Sequence, residues 1–150
     1  MNEMIFNNQE QTDNKFLTFT VGNDELGMPI SLINTIYINQ QSITEVPGLP
    51  SYLRGLINMR GSVVPVMDVR VRFGLSPKEF DDRTCIIVCE IAGTDIGLIV
   101  DAVRDVDDIL PADISPPALS HSQSSRYING IGKTAKGTRL LLDCDRLVSD

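Results

Sequence analysis

Residues Tyr52 to Asp68 read YLRGLINMRGSVVPVMD, and Tyr127 to Asp143 read YINGIGKTAKGTRLLLD. Both place a glycine three residues after the tyrosine and an apolar residue after that glycine. Both then have an internal turn containing glycine and an apolar run that closes on aspartate. An earlier pair extends the match: VGNDELGMPISLI (Val21 to Ile33) lies over IAGTDIGLIVDAV (Ile91 to Val103), setting Glu25 on Asp95, Leu26 on Ile96, Gly27 on Gly97 and Ile30 on Val100. The offset is 70 in this pair and 75 in the other. Two matches in the same order mark a duplicated unit of roughly 60 to 70 residues.

Each unit consists of short strands, glycine turns and one weak helical stretch, the composition of a small barrel or sandwich. FLTFTV (Phe16 to Val21) alternates at period two and runs into the turn GND, a strand entering a hairpin. A barrel of that size has little core of its own, so the two units should pack together and share apolar surface. The expected fold is all-β with short helical segments, a pair of small β-barrels with a groove between them. Residues 1–15 are expected to be a disordered leader and 16–150 a single domain. Its two units run about 16–74 and 84–148, with exchange of strands between them left open. PGLPS (Pro47 to Ser51) and GLSPKEFDDR (Gly74 to Arg83) read as loops, and PADISPPALSHSQSSR (Pro111 to Arg126) as a longer, mobile one.

The chain has 150 residues, 42% of them hydrophobic, enough for one compact core. A net charge of −7, with 13 scattered lysines and arginines, argues against a nucleic-acid role, because binding phosphate needs clustered cations. The N-terminus has no basic region followed by an apolar core, and acidic residues interrupt each apolar stretch, so a cytoplasmic protein without membrane insertion is expected. In TCIIVCEI, Cys85, Ile87, Cys89 and Ile91 fall on one strand face, and the thiols read as buried structural residues rather than a metal pair. His121, the one histidine, stands apart from acidic or thiol clusters.

No phosphate loop, metal cluster, catalytic triad or nucleophile elbow is present, so the chain reads as neither an enzyme nor a cofactor or metal protein. Asp105, Asp107 and Asp108 form the densest acidic patch and read as a solvated turn. Gly55, Gly61, Gly97 and Gly130 are assigned to tight turns and close backbone approaches, and Asp68 and Asp143 to side chains bonded to nearby backbone. Pro65 interrupts an apolar run, which places SVVPVMD at a bulge or on an edge strand with one side open to a partner.

The run GLINMRGSVVPVMDVRVRFG (Gly55 to Gly74), with FLTFTVGNDELGMPISLI, GTDIGLIVDAVRDV and YINGIGK, resembles the CheW-like coupling proteins of bacterial chemotaxis. The similarity spans Phe16 to Val148. It implies two five-stranded SH3-like barrels and a non-catalytic adaptor. Such an adaptor joins the cytoplasmic tips of methyl-accepting chemotaxis receptors to the regulatory domain of the histidine kinase CheA, and pairs with that domain in rings beneath a receptor array. Self-association of this chain in rings is left open.

By the same resemblance, Asn58, Arg60 and Gly61 match the NxRG turn at the receptor groove, and Val100, Val103 and Val106 match apolar positions of that groove. Ile33 and Thr35 fall where the family meets the kinase, and Leu119 near a second ring contact. Thr35 replaces a glutamate that many members would pair with the turn arginine, which turns attention to Glu45 or to an acid in the partner. The leading reading is a chemosensory coupling adaptor, serving either the main chemotaxis array or a divergent system controlling pili or second messengers. A ligand- or oligonucleotide-binding barrel is the rival, weakened by the acidic charge and by having only 5 Phe and 3 Tyr.

Overall fold

The computed structural model describes residues 2–5, 13–38, 42–117 and 123–149. The first copy of the repeat supplies β2 (Lys15–Val21), β3 (Asp24–Pro29), β4 (Ile33–Ile38), β5 (Leu53–Met59), β6 (Ser62–Asp68) and the short helix α1 (Val69–Arg72). The second supplies β7 (Cys85–Ile91), β8 (Thr94–Val100), β9 (Ala102–Asp108), β10 (Ile114–Ser115), β11 (Ile128–Thr134), β12 (Gly137–Leu142) and α2 (Cys144–Ser149). Asn2–Ile5 form a further strand, β1, paired antiparallel with β4. This stretch, expected to be part of a disordered leader, finds an open backbone edge to pair with.

Two six-stranded sheets result, ordered β1-β4-β7-β8-β6-β5 and β10-β11-β12-β3-β2-β9. Leaving out β1 and β10, each sheet has five strands, and replacing each strand by its repeat counterpart turns one order into the other. Each sheet takes a two-strand hairpin from one copy and three strands from the other. β7 and β8 enter the first sheet, and β2 and β3 the second. The parallel pairings β6 with β8 and β12 with β3 join the copies.

The first sheet closes on Tyr37, Ile57, Val64, Val66, Ile86, Val88 and Ile99, a cluster drawn from all five strands that fills a barrel. A larger core lies between the sheets: Leu17 and Phe19 of β2, Leu26 and Met28 of β3, Ile33 and Ile36 of β4, Met67, and Leu98 and Val100 of β8. β7 is buried on both faces, with Ile86 and Val88 in the barrel and Cys85, Ile87, Cys89 and Ile91 in the shared core. Full burial of an isoleucine or leucine side chain contributes roughly 1.5–3 kcal/mol, so this shared layer binds the sheets into one unit. The three cysteines are free and buried, Cys85 and Cys89 as their alternation predicts.

The duplicated tyrosines and aspartates do the same work twice. The Asp68 amide donates to the Tyr52 carbonyl at 2.7 Å, and the Asp143 amide to the Tyr127 carbonyl at 2.7 Å. Each aspartate then opens a helix, Asp68 Oδ1 accepting from the Arg70 amide (3.0 Å) and Asp143 Oδ1 from the Arg146 amide (3.1 Å). Where the copies meet, the buried Arg72 guanidinium lies 4.1 Å from the Tyr52 ring centre and 5.2 Å from that of Tyr127, and its Nε donates to the Leu147 carbonyl.

Pro65 does not lie on an edge strand. β6 runs between β8 and β5, but its ladder to β8 covers only Val66 to Asp68. Proline, with no N–H to give, stands one residue outside the end of that ladder. From Ser62 to Pro65 the strand is paired on the β5 side alone.

Candidate functional site

The β5–β6 hairpin turns at Arg60 (φ 53°) and Gly61 (φ 86°), between the closing pair Met59 and Ser62. Two successive positive φ angles match the twist of the flanking strands, the pattern of a type I′ turn. Glycine adopts this freely, whereas arginine there is held in a conformation unfavourable for an L-residue. Asn58, Arg60 and Gly61 are all exposed, so the turn stands out from the first barrel. Asn58 faces Val63 across the hairpin, and Val63 is 64% exposed, the most open large apolar residue described.

Along β6, Met67, Pro65 and Val63 share a face. Met67 is in the shared core, Pro65 is half-buried and Val63 is in solvent. A second line of apolar residues leaves the same core through β8 and β9. Val100 is fully buried, Val103 is half-buried against the core, and Val106 is 37% exposed. The turn residues and two of the three valines are thus accessible, while Val100 is packed inside because the outer face of β8 forms the layer between the sheets.

Ile33 and Thr35 are also buried without accessible surface, Ile33 in the shared core. The bulge between them puts them on opposite faces, Ile33 opposite Cys89 of the shared core and Thr35 opposite Val88 of the first barrel, and the Thr35 hydroxyl has no hydrogen-bond partner. Leu119 and His121 lie outside the described residues. Glu45, considered as a partner for Arg60, is exposed and lines a cavity of about 430 Å³ with Ile43, Arg54, Glu79 and Phe80. Arg54 in that cavity pairs with Asp68 Oδ2 at 3.0 Å and lies 5.8 Å from the centre of the Phe80 ring.

The acidic patch is not a solvated turn. Asp105, Asp107 and Asp108 lie on β9, the outermost strand of the second sheet, and each faces a cation. Lys15 meets Asp108 at 2.6 Å, Lys136 bonds Asp105, and Asp107 lies between Lys136 and Arg139 at 3.8 Å from each. The Lys136 bond, with the Val106 amide, holds the Asp105 carboxyl below its ordinary value and raises the Lys136 ammonium. Arg139 had no sequence signal beyond being a cation in an apolar run. Val63 could have been found from its place opposite Asn58. Among the described residues no cluster of His, Cys, Asp or Glu could hold a metal. Burial pushes all three thiols up, Cys144 to about 12, so they are poor nucleophiles. No described helix is long and apolar enough to cross a membrane.

Two strand-exchanged barrels with an exposed turn beside an apolar step have the architecture of a scaffold class of protein. The CheW-like domain model matches residues 15–150, and the chain belongs to that family as a chemotaxis coupling adaptor. It is 31% identical to the chemotaxis protein CheW of Klebsiella aerogenes over 93% of this chain and 84% of that one. Identity to CheW of Bacillus subtilis is 35% over 69% and 66% of the two chains. To protein FrzA of Myxococcus xanthus it is 27% over 82% and 76%. The crystal structure of the scaffolding protein TtCheW from Thermoanaerobacter tengcongensis superposes with a TM-score of 0.83 at 30% identity, covering 91% of this chain and 93% of the other.

Proposed function

We propose that this protein is a non-catalytic cytoplasmic adaptor that receives the helical cytoplasmic tips of chemoreceptors beside the β5–β6 turn and couples them to the histidine kinase CheA. The observation that carries this reading is the pair of apolar steps leaving the shared core, one ending at Val63, which faces exposed Asn58 beside the Arg60 turn, and the other at Val103 and Val106. An amphipathic helix recognises such a surface by laying its apolar stripe along it, with polar groups at the rim fixing register. Arg60 suits a rim position, being planar, permanently charged and presented on a rigid turn.

With Ile33 and Thr35 buried and the backbone of β4 paired to β1 and β7, a kinase domain would meet exposed residues flanking β4 rather than these side chains. The domain is one structural unit at about 16–150, since the units at 16–74 and 84–148 exchange hairpins and neither encloses a complete sheet. Co-sedimentation with receptor signalling fragments and CheA tests the assignment: the protein should bring the kinase into the receptor pellet. Val106→Asp should leave the melting temperature within about 2 °C, as at exposed sites, and reduce recruitment. No recruitment by the unaltered protein would sink the adaptor reading, and full recruitment by Val106→Asp would remove β9 from the contact.

A further inference from the structure

The two barrels match in backbone and differ inside. In the first, Tyr37 stands opposite Ile86 and Ile57 opposite Val64, and all four belong to its apolar filling. The matching pairs in the second are Asp107 opposite Phe16 and Gly132 opposite Arg139. A carboxylate and a guanidinium thus take the places of tyrosine and valine. Their side chains are 10% and 6% exposed, Arg139 Nε lies 3.8 Å from Asp107 Oδ2, and neither of those atoms has a hydrogen-bond partner. Arg139 Nη1 reaches the Thr138 carbonyl at 3.1 Å and Glu25 at 3.4 Å. A buried pair with unfilled hydrogen-bonding capacity is a poor source of stability, because desolvation of both charges offsets their attraction.

The location of the pair suggests another role. β9 is outermost in its sheet, with backbone pairing only to β2, and the order β12-β3-β2-β9 puts Arg139 three strands away from it. Arg139 and Lys136 reach β9 because the sheet curls round. The free side of β9 is therefore held by side chains, Lys136 on Asp105 and both cations near Asp107. Ile109, directly after β9, closes the seam: a Cβ at Gly132 would lie 3.0 Å from two of its side-chain atoms, so the glycine of β11 gives it room. Val106 stands opposite Leu17 of the shared core, the face from which Val103 and Val106 emerge.

We propose that Arg139 and Asp107 are positioning residues for partner recognition: the buried pair, with Lys136 and Asp105 at its rim, anchors the edge strand β9 and so sets where Val103 and Val106 stand. The proposal rests on reading those valines as receptor contacts.

The deciding variant is Arg139→Met with Asp107→Leu, which gives the second barrel an apolar filling like that of the first. Its melting temperature should equal or exceed that of the parent, since two buried charges are gone. Amide exchange over Ala102–Asp108 should quicken about tenfold as the directional anchor is lost, and affinity for a receptor signalling fragment should fall about tenfold. Arg139→Met alone, leaving buried Asp107 with Lys136 as its one remaining cation, should lower the melting temperature. Parent-like exchange and affinity in the double variant would overturn the proposal. If the double variant fails to fold, Lys136→Met at the exposed rim takes its place, with faster β9 exchange expected and unchanged exchange counting against the anchor. If the parent itself does not bind the receptor fragment, the receptor reading fails separately, and β9 exchange alone decides whether the pair anchors the strand.

Discussion

Gly55 and Gly130 occupy the same place in the repeat, yet replacing each with alanine should have very different consequences. Gly55 has φ 148°, and a Cβ there would lie 2.1 Å from the Thr44 carbonyl oxygen. Thr44 is held against β5 by two hydrogen bonds with Leu56, at 2.8 and 2.9 Å. Alanine must therefore adopt a backbone conformation costing about 1–3 kcal/mol and push Thr44 off the strand, losing two bonds of about 0.5–1.5 kcal/mol each. The sum is about 2–6 kcal/mol, or on the order of 10 °C in melting temperature for a chain of this size. At Gly130 the backbone is outside the left-handed region, and the nearest contacts of a Cβ are Ile114 Cγ2 at 3.3 Å and the Ser115 carbonyl at 3.4 Å. A few tenths of an ångström of relief suffices there, so Gly130→Ala should cost no more than about 1 kcal/mol, part of it offset by the reduced entropy of the unfolded chain. With no tryptophan in the chain, urea unfolding followed by far-UV circular dichroism is the suitable assay. Equal losses in the two variants, or a Gly55→Ala cost below about 1 kcal/mol, would refute the argument.

Arg60→Ala keeps a β-carbon at positive φ and should stay within about 0.5 kcal/mol of the parent, while Arg60→Gly, relieved of that strain, should gain up to about 1 kcal/mol. Both should weaken receptor coupling, and a loss of many degrees in the alanine variant would make Arg60 a structural residue instead. The three thiols should resist a thiol reagent at pH 8 in the folded protein and all react in urea; rapid labelling of the folded chain would contradict their burial. Their folded values lie above the ordinary 9.0, with Cys144 at about 12. Below 9 both states keep the protons and the stabilisation is whole; as pH rises from 9 toward 12 the unfolded chain ionises first and stability falls. Cys144→Ala should flatten that alkaline decline, and an unchanged slope would assign it to other groups.

Much of the fold could be read from YLRGLINMRGSVVPVMD and its second copy. The glycine turn and the closing aspartate have local causes, a tight hairpin and a helix cap within a few residues of one another, whereas the glycine three residues after the tyrosine answers to Thr44 in the first copy and to Ile114 and Ser115 in the second. Burial of Cys85 and Cys89 was readable for the same reason, since strand alternation is a property of neighbours in sequence. The exposed turn at Asn58, Arg60 and Gly61 followed from the polar break between two apolar runs.

What the sequence could not decide depended on which strands become neighbours. Pro65 looked like an edge residue because proline cannot serve a ladder, but the ladder to β8 ends just beside it. Asp105, Asp107 and Asp108 looked like a solvated turn, and their pairing with cations comes from residues some thirty positions away or, for Asp108, from Lys15 at the far end of the chain. Val100, Val103 and Val106 have the same residue type and similar spacing, and only the layer between the sheets separates the buried one from the exposed one. Alternation, turns and caps are set by local sterics, so the sequence alone determined the duplicated strands and their turns. The exchange of hairpins between the copies, and with it the burial of each surface and the partner of each charge, was decided by long-range packing and seen only in the tertiary structure.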